Sequence, residues 1–168
     1  MNVRVLTAVL AAGVALTPAV RPVVAAQTKP APAAAAAAPR LVVLTVTDPV
    51  GEKMSYSRSI INAKPGERLK VRLMSMGQLP RTVMTHNFVL LTAGSDPKKF
   101  SDAAALTPAT GYIPAALKSQ ILAQADMVGP GETSEVVFTA PKTPGSYPFL
   151  CTFAAHFAAG MTGTLVVK

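Results

Sequence analysis

The residues of this chain best suited to chemistry are few, and they lie in two short segments. The only cysteine, Cys151, and one of the two histidines, His156, share the segment 147–161, which ends at Met161. The other histidine, His86, lies in the segment 84–88. A thiolate, two imidazoles and a thioether are the donors of a mononuclear copper site with a weak axial methionine. The four candidate ligands are therefore His86, Cys151, His156 and Met161.

The spacing of these donors fits a single ion. Four residues separate Cys151 from His156 and four separate His156 from Met161, so one loop between two strands can turn all three side chains toward one point. His86 precedes the cysteine by 65 residues and would tie that loop to the body of the domain. Soft sulfur donors favour copper and stabilise Cu(I) relative to Cu(II). Since such a site leaves no open position for a substrate, we expect a one-electron carrier that holds one copper ion, and no enzyme.

Polar neighbours of the candidate ligands would hold them in place. Asn87 follows His86 and can hydrogen-bond across to the loop that begins at Cys151, where Thr152 can meet it. Bonds of this kind orient the ligands and tune the reduction potential. The backbone carbonyl of Thr85 is a candidate for a weak, long axial contact opposite Met161.

Other chemistries for the same residues are less well supported. A cysteine–histidine nucleophile pair needs a third, orienting group and a substrate cleft, and the apolar residues around His156 offer neither. Zinc accepts nitrogen and thiolate donors, but a thioether is a poor zinc ligand. A total of two histidines excludes sites built from three or more imidazoles, such as a three-histidine zinc hydrolase site.

Two other functions remain as alternatives to the electron carrier. A copper storage or delivery protein would need an exposed, exchangeable cluster of Met and His, whereas the seven methionines of this chain are scattered. A copper nitrite reductase or oxidase would need further histidine ligands, which only a partner subunit could supply.

The N-terminal part of the chain predicts export. Arg4 precedes an apolar run from Val5 to Leu16, and Ala25-Ala26 offers a small-residue cleavage site, so we expect a signal peptide over residues 1–26. An uncleaved anchor is the alternative. Residues 27–39 are rich in Ala and Pro and predict a linker. The protein is then periplasmic or secreted, with no stable membrane insertion after cleavage.

Residues 40–168 have the pattern of a small all-β domain. Short segments rich in branched residues are separated by Pro-Gly turns, which suggests an antiparallel sandwich or barrel. The candidate strands cover residues 41–46, 55–61, 69–74, 86–91, 134–139, 145–150 and 162–167. Residues 95–126 break the pattern and predict one or two short helices, with Asp96 as N-cap and Pro97 at the first helical position. With one cysteine, the domain contains no intrachain disulfide.

The two ligand segments resemble those of a known family. The C-T-F-x-x-H start of the loop and the M-T-H-N-F segment are similar to the corresponding parts of azurin- and auracyanin-type small blue copper proteins, the cupredoxins. The resemblance implies a Greek-key β-sandwich of about eight strands with a helical flap, matching residues 95–126. The chain departs from the family in having Ala154-Ala155 where Pro-Gly is usual, and Thr85 in place of Gly.

The resemblance also implies how electrons enter and leave. The ring edge of His156 would reach the surface within an apolar patch suited to brief docking of redox proteins. The candidates for that docking patch are Met84, Phe153, Ala154, Ala155, Phe157, Ala158 and Ala159.

The charge of the chain points to the kind of partner. The formal net charge is +8, from 16 basic and 8 acidic residues. Removal of residues 1–26 takes away Arg4 and Arg21 and leaves 14 − 8 = +6. We expect a partner that is acidic at its docking face, such as a c-type cytochrome or a respiratory enzyme. We expect no nucleic-acid partner, because the chain is expected to be exported and its basic residues form no stripe interleaved with aromatic residues.

Overall fold

The computed structural model describes residues 38–49, 51 and 53–168. The expected signal peptide and all but the last two residues of the expected linker lie outside the described residues. Within the described part of the chain, no helix has the length and apolar character needed to cross a membrane. The strands in this part are Arg40–Val46 (β1), Ile60–Ala63 (β2), Arg68–Ser75 (β3), His86–Leu91 (β4), Ile121–Val128 (β5), Thr133–Thr139 (β6), Gly145–Leu150 (β7) and Thr162–Val167 (β8).

The strands form a two-sheet sandwich, which confirms the predicted fold class. One sheet has the order β1-β3-β6 and the other the order β2-β8-β7-β4-β5. The turn pattern had suggested purely antiparallel sheets, and this part of the prediction is wrong. β1 runs parallel to β3, and β2 runs parallel to β8. Parallel neighbours arise here because β1 and β2, although consecutive, belong to opposite sheets and are not joined as a hairpin.

Alternation along β3 shows how the sequence builds the core. Leu69, Val71 and Leu73 are fully buried between the sheets, whereas Lys70 and Arg72 on the other face reach Glu135 of β6. Full burial of a leucine-sized side chain contributes about 1.5–3 kcal/mol. This apolar layer belongs to the same core cluster as the buried side chains of β4 and β7, the strands of the other sheet that lead to the ligands.

β4 is buried at all six positions because both of its faces are covered. Phe88 and Leu90 face the main core, while Val89 and Leu91 pack against Phe100 of the helical flap. The flap contains an α-helix over Pro97–Ala105 (α1) and two 3₁₀ turns over Pro108–Thr110 and Ala115–Gln120. As predicted, Asp96 caps α1 by accepting hydrogen bonds from the backbone N–H groups at its start, and Pro97 is its first residue.

Two of the predicted boundaries are wrong. The helical segment ends at Gln120, and residues 121–126 belong to β5. This strand presents Ala123 and Ala125 to the core, and alanines give a weak period-two signal. The strand expected over residues 55–61 begins only at Ile60, because residue 57 is bonded to Thr45 through its backbone and side chain.

Candidate metal centre

Three of the predicted ligands meet at one end of the larger sheet. His86 is the first residue of β4, and Cys151 follows the last residue of β7, the strand beside it. His156 lies in the loop between β7 and β8. The ligand atoms of the three side chains all lie within 4.8 Å of one another. Each residue is buried, with exposed fractions of 1 % for His86, 0 % for Cys151 and 2 % for His156.

Backbone hydrogen bonds fold the loop 151–161 back on itself. The N–H of Cys151 donates to the carbonyl of Met161 at 3.1 Å, and the N–H of Met161 donates to the carbonyl of His156 at 2.9 Å. Met161 is fully buried, and its Sδ lies 3.2 Å from Nδ1 of His86. The fourth predicted ligand is therefore at the same cluster, next to an imidazole from the other segment.

The spacing of the donor atoms fits a metal ion. With metal–sulfur and metal–nitrogen bonds of about 2.3 and 2.0 Å and a sulfur–metal–nitrogen angle of about 110°, the sulfur and nitrogen atoms would lie about 3.5 Å apart. The observed distance from Sγ of Cys151 to Nδ1 of His156 is 3.5 Å. Nitrogen, thiolate and thioether donors together suit copper better than zinc. These residues fit one copper ion, as the sequence predicted.

Burial controls the protonation of the thiol. It raises the pKa of Cys151 to about 12, while backbone N–H groups of Asn87 and Phe153 that hydrogen-bond the sulfur act in the opposite direction. At neutral pH the metal-free thiol therefore keeps its proton. A metal ion that binds the thiolate must displace this proton, so binding is coupled to proton release.

Burial has the reverse effect on the two imidazoles. The pKa of His86 is lowered to about 4 by desolvation, with a smaller opposing influence of Asp48. The pKa of His156 is also lowered to about 4, mainly by desolvation and in smaller part by the neighbouring His86. Both rings are neutral at pH 7, which is the form that binds a metal ion.

Asn87 and Thr152 link the two ligand segments, as predicted. Nδ2 of Asn87 donates to Oγ1 of Thr152 at 2.7 Å, and the backbone N–H of Thr152 donates to Oδ1 of Asn87 at 2.8 Å. Asn87 is 2 % exposed and Thr152 is fully buried. This reciprocal pair connects the residue after His86 to the residue after Cys151, so the two ligands keep a constant separation.

Sequence reasoning missed two supports of the site. The carboxylate of Asp48 accepts a hydrogen bond of 2.7 Å from the N–H of Gln78, in the loop that leads to His86. The N–H of Met54 donates to the carbonyl of Ala159 at 2.9 Å and holds the far side of the ligand loop. Both contacts join residues that are distant in the chain, so no local sequence pattern predicts them.

The expected docking patch is only partly at the surface. Ala155 and Ala158 are exposed and Phe153 and Phe157 are half-buried, but Met84 is only 8 % exposed. His156 is only 2 % exposed, contrary to the expectation that its ring edge reaches the surface. The ring of Phe153 lies 4.7 Å from the imidazole, centroid to centroid, and contributes to this shielding.

Comparison with known proteins agrees with this geometry. Residues 43–168 match the family described as copper binding proteins of the plastocyanin/azurin family. The chain is 32 % identical over 120 residues to auracyanin-A of Chloroflexus aurantiacus, covering 70 % of each chain. It is also 32 % identical over 120 residues to azurin of Pseudomonas fluorescens biotype C, covering 70 % of this chain and 92 % of that azurin.

Solved structures show the same relationship. The dithionite-reduced auracyanin of the photosynthetic bacterium Roseiflexus castenholzii superimposes with a TM-score of 0.65 at 29 % identity, covering 79 % of this chain and 99 % of the other. Auracyanin A of Chloroflexus aurantiacus, described as a "blue" copper protein, superimposes with a TM-score of 0.60 at 26 % identity, covering 76 % of this chain and 99 % of the other. Family match, fold and buried donor set therefore agree that this chain belongs to the plastocyanin/azurin family of copper-binding proteins.

Proposed function

We propose that this protein is a periplasmic or secreted one-electron carrier with a single type 1 copper ion. His86, Cys151 and His156 would hold this ion, with the thioether of Met161 and the backbone carbonyl of Thr85 as candidate weaker donors. The observation that carries this proposal is the convergence of two imidazole nitrogens and one cysteine sulfur within 4.8 Å of one another in a buried cluster.

The surroundings of the site suit electron transfer better than catalysis. Bound copper supplies a reversible one-electron couple. The chain excludes water from the site, since the four candidate ligands are at most 2 % exposed. The pair formed by Asn87 and Thr152 holds the strands that carry His86 and Cys151 at a constant distance. Because the ligands are held in place, little has to move when the charge of the ion changes.

The electron partner would dock over the ligand loop. The exposed Ala155 and Ala158 and the half-buried Phe153 and Phe157 form a small apolar surface beside His156, and weak redox encounters use interfaces of this small kind. The net positive charge favours an acidic partner, such as a c-type cytochrome or a respiratory enzyme, and mainly raises the rate of encounter. The expected signal peptide supports the location outside the cytoplasm.

The alternative of copper storage or delivery is less well supported. Exchange of copper with another protein requires ligands that a partner can reach, whereas here the thiolate and both imidazoles are buried. A carrier keeps its ion through many redox cycles. A delivery protein would instead lose copper rapidly to a competing chelator.

A visible absorption spectrum tests the proposal. We expect the Cu(II) protein without residues 1–26 to be intensely blue from charge transfer between the thiolate and copper, and to be reduced and reoxidised without losing the ion. The Cys151→Ser variant should bind copper without this colour, because only the thiolate produces it. A colourless Cu(II) adduct of the unaltered protein would refute the type 1 assignment.

A further inference from the structure

The ladder between β4 and β7 stops beside the metal site, and Asn87 lies where it stops. The ladder pairs Val89 with Leu150, and the same register continued by two residues would pair Asn87 with Thr152. Side-chain bonds take the place of that pair, since the N–H of Thr152 donates to Oδ1 of Asn87. On the opposite side, the pairing of β4 with β5 is irregular at the same point. The main chain of Asn87 is therefore outside regular strand pairing.

Tyr56 supplies a partner for the Asn87 carbonyl. The hydroxyl of Tyr56 donates to this carbonyl at 2.6 Å, across 31 residues of sequence. Tyr56 lies in the segment between β1 and β2 and is only 4 % exposed. Its ring packs edge-on against Phe149 at a centroid distance of 5.4 Å, so the hydroxyl has little freedom to move. A buried carbonyl outside the ladder needs such a partner.

The polar groups of Asn87 are thus each engaged by a different neighbour. Its carbonyl accepts from Tyr56, its side chain is paired with Thr152, and its backbone N–H hydrogen-bonds the sulfur of Cys151. The carbonyl and the N–H belong to the same residue, and Tyr56 and Thr152 together hold that residue in place. A shift of the Asn87 backbone after loss of the Tyr56 hydrogen bond therefore also shifts its N–H. The position of the Tyr56 hydroxyl is therefore coupled to the hydrogen bond on the copper-binding sulfur.

We propose that Tyr56 is a positioning residue of the copper centre, which acts through Asn87 on the Cys151 sulfur. This rests on the proposed function, because it concerns copper held by the same thiolate. Hydrogen bonds to the sulfur of such a site tune its reduction potential. Without the Tyr56 hydroxyl the bond to the sulfur weakens and the thiolate donates more charge to copper. The reduction potential then falls, and the charge-transfer band moves to lower energy.

The Tyr56→Phe variant tests this inference, with Tyr147→Phe as the matched control. Tyr147 is also buried, with 5 % exposed, and its hydroxyl also donates to a backbone carbonyl, that of Thr143, at 2.8 Å. It lies near the start of β7, away from the metal end. Both changes remove one buried hydroxyl. Only Tyr56→Phe should lower the reduction potential and move the charge-transfer band to lower energy.

The outcomes separate this inference from the proposed function. Equal losses of stability in the two variants, with an unchanged potential and spectrum in Tyr56→Phe, would overturn the inference and leave a blue wild-type protein. A wild-type protein without a blue centre would instead refute the proposed function.

If Tyr56→Phe loads too little copper for electrochemistry, amide hydrogen exchange in the metal-free protein decides the question. Exchange at Asn87 that is faster than in the wild type and in Tyr147→Phe supports the inference, and unchanged exchange overturns it.

Discussion

The residue before the loop histidine has a backbone conformation that costs free energy. Ala155 has φ = 68°, in the left-handed region, and among the described residues only Tyr112, at 61°, is another non-glycine residue with positive φ. The side chain of Ala155 is exposed, so its methyl group contributes little packing. The Ala155→Gly variant should therefore stabilise the protein.

The size of the effect is the balance of two contributions. A non-glycine residue pays about 1–2 kcal/mol in the left-handed region. Glycine also increases the conformational entropy of the unfolded chain, which lowers the free energy of unfolding by about 0.4–1 kcal/mol. We expect the free energy of unfolding of Ala155→Gly to rise by a net amount of about 0.5–1 kcal/mol.

Urea unfolding of the metal-free protein measures this change, and the neighbouring alanine is the control. Ala154 does not have a positive φ, so Ala154→Gly should lower the free energy of unfolding by about 0.4–1 kcal/mol. The two adjacent substitutions thus have opposite expected signs. Equal destabilisation by both would refute the argument from backbone strain. The visible spectrum of the copper-loaded Ala155→Gly protein should remain that of the wild type.

Three further predictions concern the ligands and their supports. Met161→Leu should keep the blue colour and raise the reduction potential, because loss of the thioether disfavours Cu(II). An unchanged or lower potential, measured by voltammetry, would mean that Met161 is not an axial ligand. Asn87→Ala should lower the free energy of urea unfolding by about 2–4 kcal/mol, since two hydrogen bonds are lost and the buried N–H of Thr152 is left without this partner. The metal-free protein should lose stability as the pH falls from 6.5 toward 4, because the unfolded imidazoles bind protons before those of His86 and His156, whose pKa is about 4. The lowered pKa sets an upper bound of about 3 kcal/mol for each ring, and we expect a smaller loss than this bound. Equal stability at pH 5 and pH 7.5 would contradict the desolvation of these rings.

The chemistry of the site could be predicted from the sequence because it depends on rare residue types. One cysteine and two histidines in 168 residues leave a single way to combine them, and the spacing to Met161 completes the set. The pairing of Asn87 with Thr152 also followed from their positions next to ligands. Local rules were sufficient for the N-cap at Asp96, since capping involves only the next few residues.

Contacts between distant residues were decided only by the tertiary structure. The alanines of β5 carry too little apolar signal to reveal a strand, and its place beside β4 depends on packing. Tyr56 has no motif around it, and its role appears only when the segment between β1 and β2 is folded against Asn87. The burial of His156 likewise depends on the ring of Phe153 and the folded loop. Residue types thus determined which donors the site has, whereas the packing of distant segments determined how tightly those donors are held and how far they lie from solvent.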